Sequence, residues 1–122
     1  MPEIEVFTDG ATWAEACAAR LTETLSGAVA ETGKAVFAGS GGSTPAPIYA
    51  RLAAAGIDWS KGAVTLIDER YVPETSPDSN AALLKTTLLI GPAAAARFVP
   101  LYTPEVTVDR AAIVAAHALA AE

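Results

Sequence analysis

Two short segments carry residue types suited to chemistry on small, charged, hydroxylated molecules. The first, Phe37-Ala-Gly-Ser-Gly-Gly-Ser-Thr-Pro45, sets a glycine-rich turn between an apolar run and a helix start. Unpaired backbone N–H groups and the helix dipole at such a junction favour an anion. Gly41 and Gly42 let the backbone approach a ligand closely, Ser43 or Thr44 can cap the helix, and Pro45 suits its first turn. The second segment, Asp68-Glu-Arg-Tyr-Val72, follows the β-branched run Ala63-Val-Thr-Leu-Ile67. Arg70 offers a fork of donors to an anionic substrate, and Asp68 can accept from hydroxyls or orient a neighbouring group.

The glycine segment differs from two common nucleotide loops. No lysine follows its glycines as a P-loop requires, and Thr44 stands where a dinucleotide fingerprint has its last glycine. In their plainest form the two segments are a glycine-rich βα turn and a surface Asp–Arg pair worth roughly 0–1 kcal/mol. Their positions argue for more, because each leaves the carboxyl end of an expected strand, where open α/β sheets bind ligands.

The elements that must position these residues alternate along the chain. Strands are expected at 4–7, 35–38, 63–67 and 98–101. Thr12-Trp-Ala-Glu15 reads as a capping box opening a long helix that closes near Gly33. A second helix is expected over 44–55, ended by Gly56 as a left-handed cap, and a third over 81–89, capped by Ser79 or Asp78 and stopped by Gly91-Pro92. A last, alanine-rich helix should begin after Asp109. This order predicts an α/β fold: a doubly wound, Rossmann-like, mostly parallel sheet with flanking helices, in one domain over 1–122. The segment 72–78, with two prolines, reads as a mobile loop and partial lid beside the site.

Composition sets outer bounds. The 122 residues are 52% hydrophobic with mean hydropathy +0.33, enough for one core, although alanine supplies much of that fraction. A net charge of −6 argues against nucleic acid as a partner. Cys17, the single cysteine, shares a helical stripe with Trp13, Leu21, Leu25 and Val29 and reads as a small core residue in a reducing compartment. The N-terminus lacks the pattern of a secretion signal, and no apolar run reaches membrane-spanning length, so a soluble cytoplasmic protein without a membrane partner is expected.

Four segments in order, Ser40-Gly-Gly-Ser-Thr-Pro45, Ile57-Asp-Trp-Ser60, Asp68-Glu-Arg-Tyr-Val72 and Asp78-Ser-Asn80, give the chain a resemblance to the 6-phosphogluconolactonase family of the pentose phosphate pathway. It is similar to the N-terminal half of such enzymes. The related glucosamine-6-phosphate deaminases share the glycine-Thr-Pro loop, but tyrosine commonly follows their Asp-Glu pair where Arg70 stands here.

The resemblance implies hydrolysis of 6-phospho-D-glucono-1,5-lactone to 6-phosphogluconate, with no metal or organic cofactor. It implies that Gly41, Gly42, Ser43 and Thr44 cradle the substrate, that Arg70 pairs with its charge, that Asp68 orients the sugar or the catalytic group, and that Ser79 and Asn80 add donors. The general base is expected in an Asp-Gly-His segment of the absent half. His117 has neither glycine nor aspartate beside it and reads as an ordinary helix histidine. The expected partners are a phosphorylated sugar lactone and either the absent half or a second copy covering an open apolar surface. A non-catalytic sugar-phosphate-binding module and a deaminase-like enzyme are the alternatives.

Overall fold

The computed structural model describes residues 4–104 and 106–122. In chain order its elements are α1 (Gly10–Thr32), β1 (Ala35–Gly39), α2 (Ala46–Ala53), a 3-10 turn (Trp59–Lys61), β2 (Gly62–Leu66), α3 (Asn80–Thr87), a second 3-10 turn (Gly91–Ala95), β3 (Arg97–Phe98) and α4 (Val108–Ala120). The strands form a parallel sheet in the order β1-β2-β3. Its register pairs Ala35 with Gly62 and Gly39 with Leu66, and the Ile67 N–H extends the ladder to the Gly39 carbonyl at 2.9 Å. The glycine loop and the Asp68 turn therefore leave the sheet side by side.

β2 is buried along its whole length, as expected of a central strand with apolar side chains on both faces. In β1 only alternate positions are covered: Ala35 and Gly39 are buried, whereas Val36 is 49% exposed. Helices α1 and α2 pack on one another, and α1 packs on β1. The core joins Leu25, Tyr49, Leu52, Val64, Leu66, Leu84 and Leu88, with Ile57 and Trp59 beneath the start of β2. The Ile57-Asp-Trp-Ser60 motif is thus a packing and turn element. Cys17 is partly buried and packs with Trp13 and Leu21 against the smaller cluster of Ala14, Ala18 and Ile48.

Several local expectations are corrected. Residues 4–7 form no strand; Ile4 and Val6 are 86% and 89% exposed, and Glu5 pairs with Arg20 on α1. Alternation gives a segment the capacity to be a strand, but a strand also requires a neighbouring ladder. Helix α1 starts a turn earlier than its capping box suggested, because the Asp9 carboxylate accepts from the Thr12 N–H at 2.7 Å. Its end is as expected: Gly33 has φ 79° and donates to the Val29 carbonyl.

In α2, Pro45 occupies the cap position with no side-chain cap bond, so neither Ser43 nor Thr44 caps it. Its C-cap is Ala54, and Gly56 is not left-handed. Ser79 caps α3, as one of the two expected residues. Gly91 and Pro92 end the apolar run by opening a 3-10 turn. β3 is shorter than the expected 98–101, consistent with Pro100 having no N–H for a ladder. Thr107 rather than Asp109 caps α4. No helix among the described residues is long and apolar enough to cross a membrane.

Candidate functional site

At the carboxyl edge of β1 and β2, Ser40, Gly41, Gly42, Asp68, Arg70 and Asn80 line a cavity of about 340 Å³. Parallel register brings these distant segments together, because Gly39 and Leu66 are direct partners and each loop starts immediately beyond. Five of the eight expected site residues therefore meet: Gly41, Gly42, Asp68, Arg70 and Asn80. Ser43 and Thr44 border a neighbouring cavity of about 440 Å³, with Gly10, Ala11, Trp13, Pro47 and Arg51. Ser79 is 4% exposed and does not line either cavity.

The glycine loop is held from below by a residue that sequence reasoning missed. The Tyr49 hydroxyl accepts from the Ser40 N–H at 2.8 Å and donates to the Ser40 carbonyl at 2.7 Å. Tyr49 is 3% exposed, and its ring meets Phe37 edge-on at 6.2 Å. The loop is thus clamped to the core at Ser40. Beyond the clamp, the N–H groups of residues 41–44 donate to no acceptor among the described residues. Gly42 has φ 99°, in the left-handed region that favours glycine. Gly41 is required for another reason: a Cβ there would lie 2.0 Å from the Asn80 Oδ1.

Across the cavity, an Arg70 Nη1 lies 3.8 Å from an Asp68 Oδ2, with the two side chains 62% and 63% exposed. So open a pair contributes little to stability and leaves the guanidinium free to turn toward a ligand. Asn80, 8% exposed, donates from Nδ2 to the Asp68 carbonyl at 3.1 Å while its Oδ1 faces Gly41. One side chain thus touches both walls.

Glu69 behaves differently from its neighbours in the sequence. Its Oε1 accepts from the Arg70 and Asn80 N–H groups at 2.9 and 2.6 Å, and its Oε2 accepts from the Ala81 N–H and the Ser79 hydroxyl at 2.9 and 3.2 Å. The Ser79 oxygen also accepts from the Ala82 N–H at 3.2 Å. A carboxylate on the first turn of a helix satisfies its donors and complements its dipole, so the start of α3 is fully occupied by protein groups. The available signal was an acidic residue at a strand end followed by a Ser-Asn helix start, but its meaning depends on where the two meet.

The loop over 72–78 lies between Arg70 and Asn80. Its Glu74 binds Lys85 on α3 at 2.6 Å, and Lys85 also sits 5.1 Å from the Phe98 ring centroid. His117 is exposed on α4 and lines none of these cavities. A third cavity of about 360 Å³, between Tyr71, Leu101, Tyr102 and the alanines of α4, is predominantly apolar and shares only Arg70 with the polar site.

A profile of the family described as glucosamine-6-phosphate isomerases/6-phosphogluconolactonase matches residues 8–122. The chain is 52% identical over 96 residues to a 6-phosphogluconolactonase of Mesorhizobium japonicum, covering 79% of this chain and 40% of that one. It is 43% identical over 110 residues to one of Caulobacter vibrioides, covering 90% and 47%. The crystal structure of a 6-phosphogluconolactonase from Shewanella baltica superposes with a TM-score of 0.89 at 34% identity, over 93% of this chain and 48% of that one. The chain spans about half the length, or less, of these relatives. With the family profile matching residues 8–122 and the fold matched over 93% of its length, this chain belongs to the glucosamine-6-phosphate isomerase/6-phosphogluconolactonase family.

Proposed function

We propose that this chain is the sugar-phosphate-binding half of a cytoplasmic 6-phosphogluconolactonase, which hydrolyses 6-phospho-D-glucono-1,5-lactone to 6-phosphogluconate. The observation that carries the reading is the shared cavity of the glycine loop and the Asp68–Arg70 turn. The free N–H groups of the loop and the uncapped start of α2 suit an anion, with Ser43 and Thr44 at its outer wall. Arg70 pairs with substrate charge, while Asp68 and Asn80 accept from or donate to sugar hydroxyls. The Ser79 hydroxyl is engaged by Glu69 and Ala82, so its part is to hold α3.

Hydrolysis requires water to attack the lactone carbonyl, assisted by a base that takes its proton. The cavity residues of this chain include no histidine. A positioned base contributes about 10²–10⁴-fold to rate, so we assign it to a second half corresponding to the remaining length of the relatives. Binding then belongs to this chain and most of the turnover to the pair.

Fresh 6-phosphogluconolactone, presented to the purified chain with and without the remaining portion of the Mesorhizobium japonicum relative, tests this division. The chain alone should bind 6-phosphogluconate saturably and leave hydrolysis near the spontaneous rate, whereas the mixture should exceed it. An Asp68→Ala, Arg70→Ala double variant should lose both properties. Absence of 6-phosphogluconate binding would overturn the reading, and ammonia release from glucosamine 6-phosphate by the mixture would redirect it to the deaminase branch.

A further inference from the structure

Glu69 lies within the Asp-Glu-Arg triplet, yet its carboxylate makes four hydrogen bonds to protein groups, and it does not line the polar cavity. We infer that Glu69 is a positioning residue that sets the width of the sugar-phosphate cavity by fixing Asn80 between its two walls. This deepens the reading of that cavity as a sugar-phosphate site and rests on it.

Glu69 Oε1 holds the Asn80 N–H at 2.6 Å and the Arg70 N–H at 2.9 Å, so one oxygen ties the turn bearing Arg70 to the first residue of α3. Glu69 Oε2 holds Ala81 and Ser79, which fixes the direction in which α3 starts. That direction aims the Asn80 side chain, whose Nδ2 reaches the Asp68 carbonyl at 3.1 Å. Its Oδ1 sits where any Cβ on Gly41 would fall, so a swing of Asn80 away from α3 pushes on the glycine loop. The residue just before Gly41, Ser40, is fixed by Tyr49. The start of the loop is therefore held by two contacts, Tyr49 from the core and Asn80 from α3, and Glu69 governs the second.

A purely electrostatic role makes the opposite prediction. Removing a carboxylate beside Arg70 raises the local positive potential and should tighten binding of an anion. Loss of positioning should weaken it, because a displacement of about 1 Å in a binding constellation can cost up to about a hundredfold.

The test uses the 122-residue chain, as wild type, Glu69→Ala and Glu69→Gln. Titration with 6-phosphogluconate gives affinity, and ¹⁵N relaxation gives the amide order parameters of Gly41 and Gly42 without ligand. Glu69→Ala should weaken affinity roughly ten- to a hundredfold. It should also lower the order parameters of both glycines from about 0.85 toward 0.6, although they are remote in sequence. Glu69→Gln, which keeps an acceptor oxygen, should fall between wild type and Glu69→Ala in both measurements. Tighter binding, or unchanged affinity with unchanged glycine order parameters, overturns the inference. If Glu69→Ala does not fold, the same criteria applied to Glu69→Gln decide. A wild type that fails to bind 6-phosphogluconate defeats the functional reading, while the ligand-free order parameters still decide the positioning role.

Discussion

Helices α2 and α3 each follow a strand of the same sheet and each have eight residues, but their first turns are finished in opposite ways. At α3, Ser79 and Glu69 take the leading N–H groups, and no donor there is left for a ligand. At α2, Pro45 provides no side-chain cap, the first turn has no acidic residue, and the preceding loop amides find no acceptor among the described residues. Both starts have the same dipole. What separates them is whether the protein has already supplied the negative end: at α3 it has, and at α2 the donors stay open.

The largest effect should come from closing the open side sterically. Gly41→Ala puts a methyl group 2.0 Å from the Asn80 Oδ1 and must displace either the loop or Asn80. We expect a loss of about 1–3 kcal/mol in urea unfolding and up to about a hundredfold weaker 6-phosphogluconate binding by calorimetry. A variant with wild-type affinity would mean that the loop and Asn80 do not act as opposed walls. Tyr49→Phe ranks next. It leaves both polar groups of Ser40 without their buried partner, at a cost of about 1–3 kcal/mol, and should weaken binding through the loop while the core remains folded.

The converse change makes α2 resemble α3. Ala46→Glu places a carboxylate in the first turn of α2 and should raise thermal stability by about 0.3–1 kcal/mol while reducing affinity for the phosphorylated ligand about three- to fivefold. Increased stability with undiminished affinity would separate the helix start from the ligand.

The smallest effect concerns α1, whose start is closed by Asp9. Hydrogen bonds from Thr12 hold the Asp9 carboxyl below its ordinary value of 3.8. A depressed folded-state value means that the cap is fully present above about 3.8 and fades as pH falls through the lower folded-state value. Far-UV circular dichroism should record a slight loss of helix over that acidic range, and Asp9→Asn should remove that part of the pH dependence.

Much of the site was legible because it follows from chain order. An apolar run, a glycine turn and a helix start place Gly41 and Gly42 at the carboxyl end of β1, and a second such run does the same for Asp68 and Arg70 beyond β2. Tyr49 and Glu69 were hidden for a common reason. Each works through a partner nine to twelve residues away, across a loop whose path local propensity does not specify. Ser79 was legible as a cap, whereas its engagement by Glu69 depends on how the loop over 72–78 returns. The misread strand over 4–7 shows the same limit, since alternation in Ile4-Glu5-Val6 records two faces but names no neighbour.

The contact between Gly41 and Asn80 also constrains how this site can diversify. Because the asparagine oxygen fills the volume that a side chain at position 41 would need, a larger residue at 41 becomes accessible only after position 80 has shrunk or moved. Position 80 cannot change freely either, as its amide also supports the Asp68 carbonyl. In a randomised library selected for ligand binding, tolerated residues at 41 and 80 should therefore appear as matched pairs, and routes between distant solutions should pass through intermediates with poor binding.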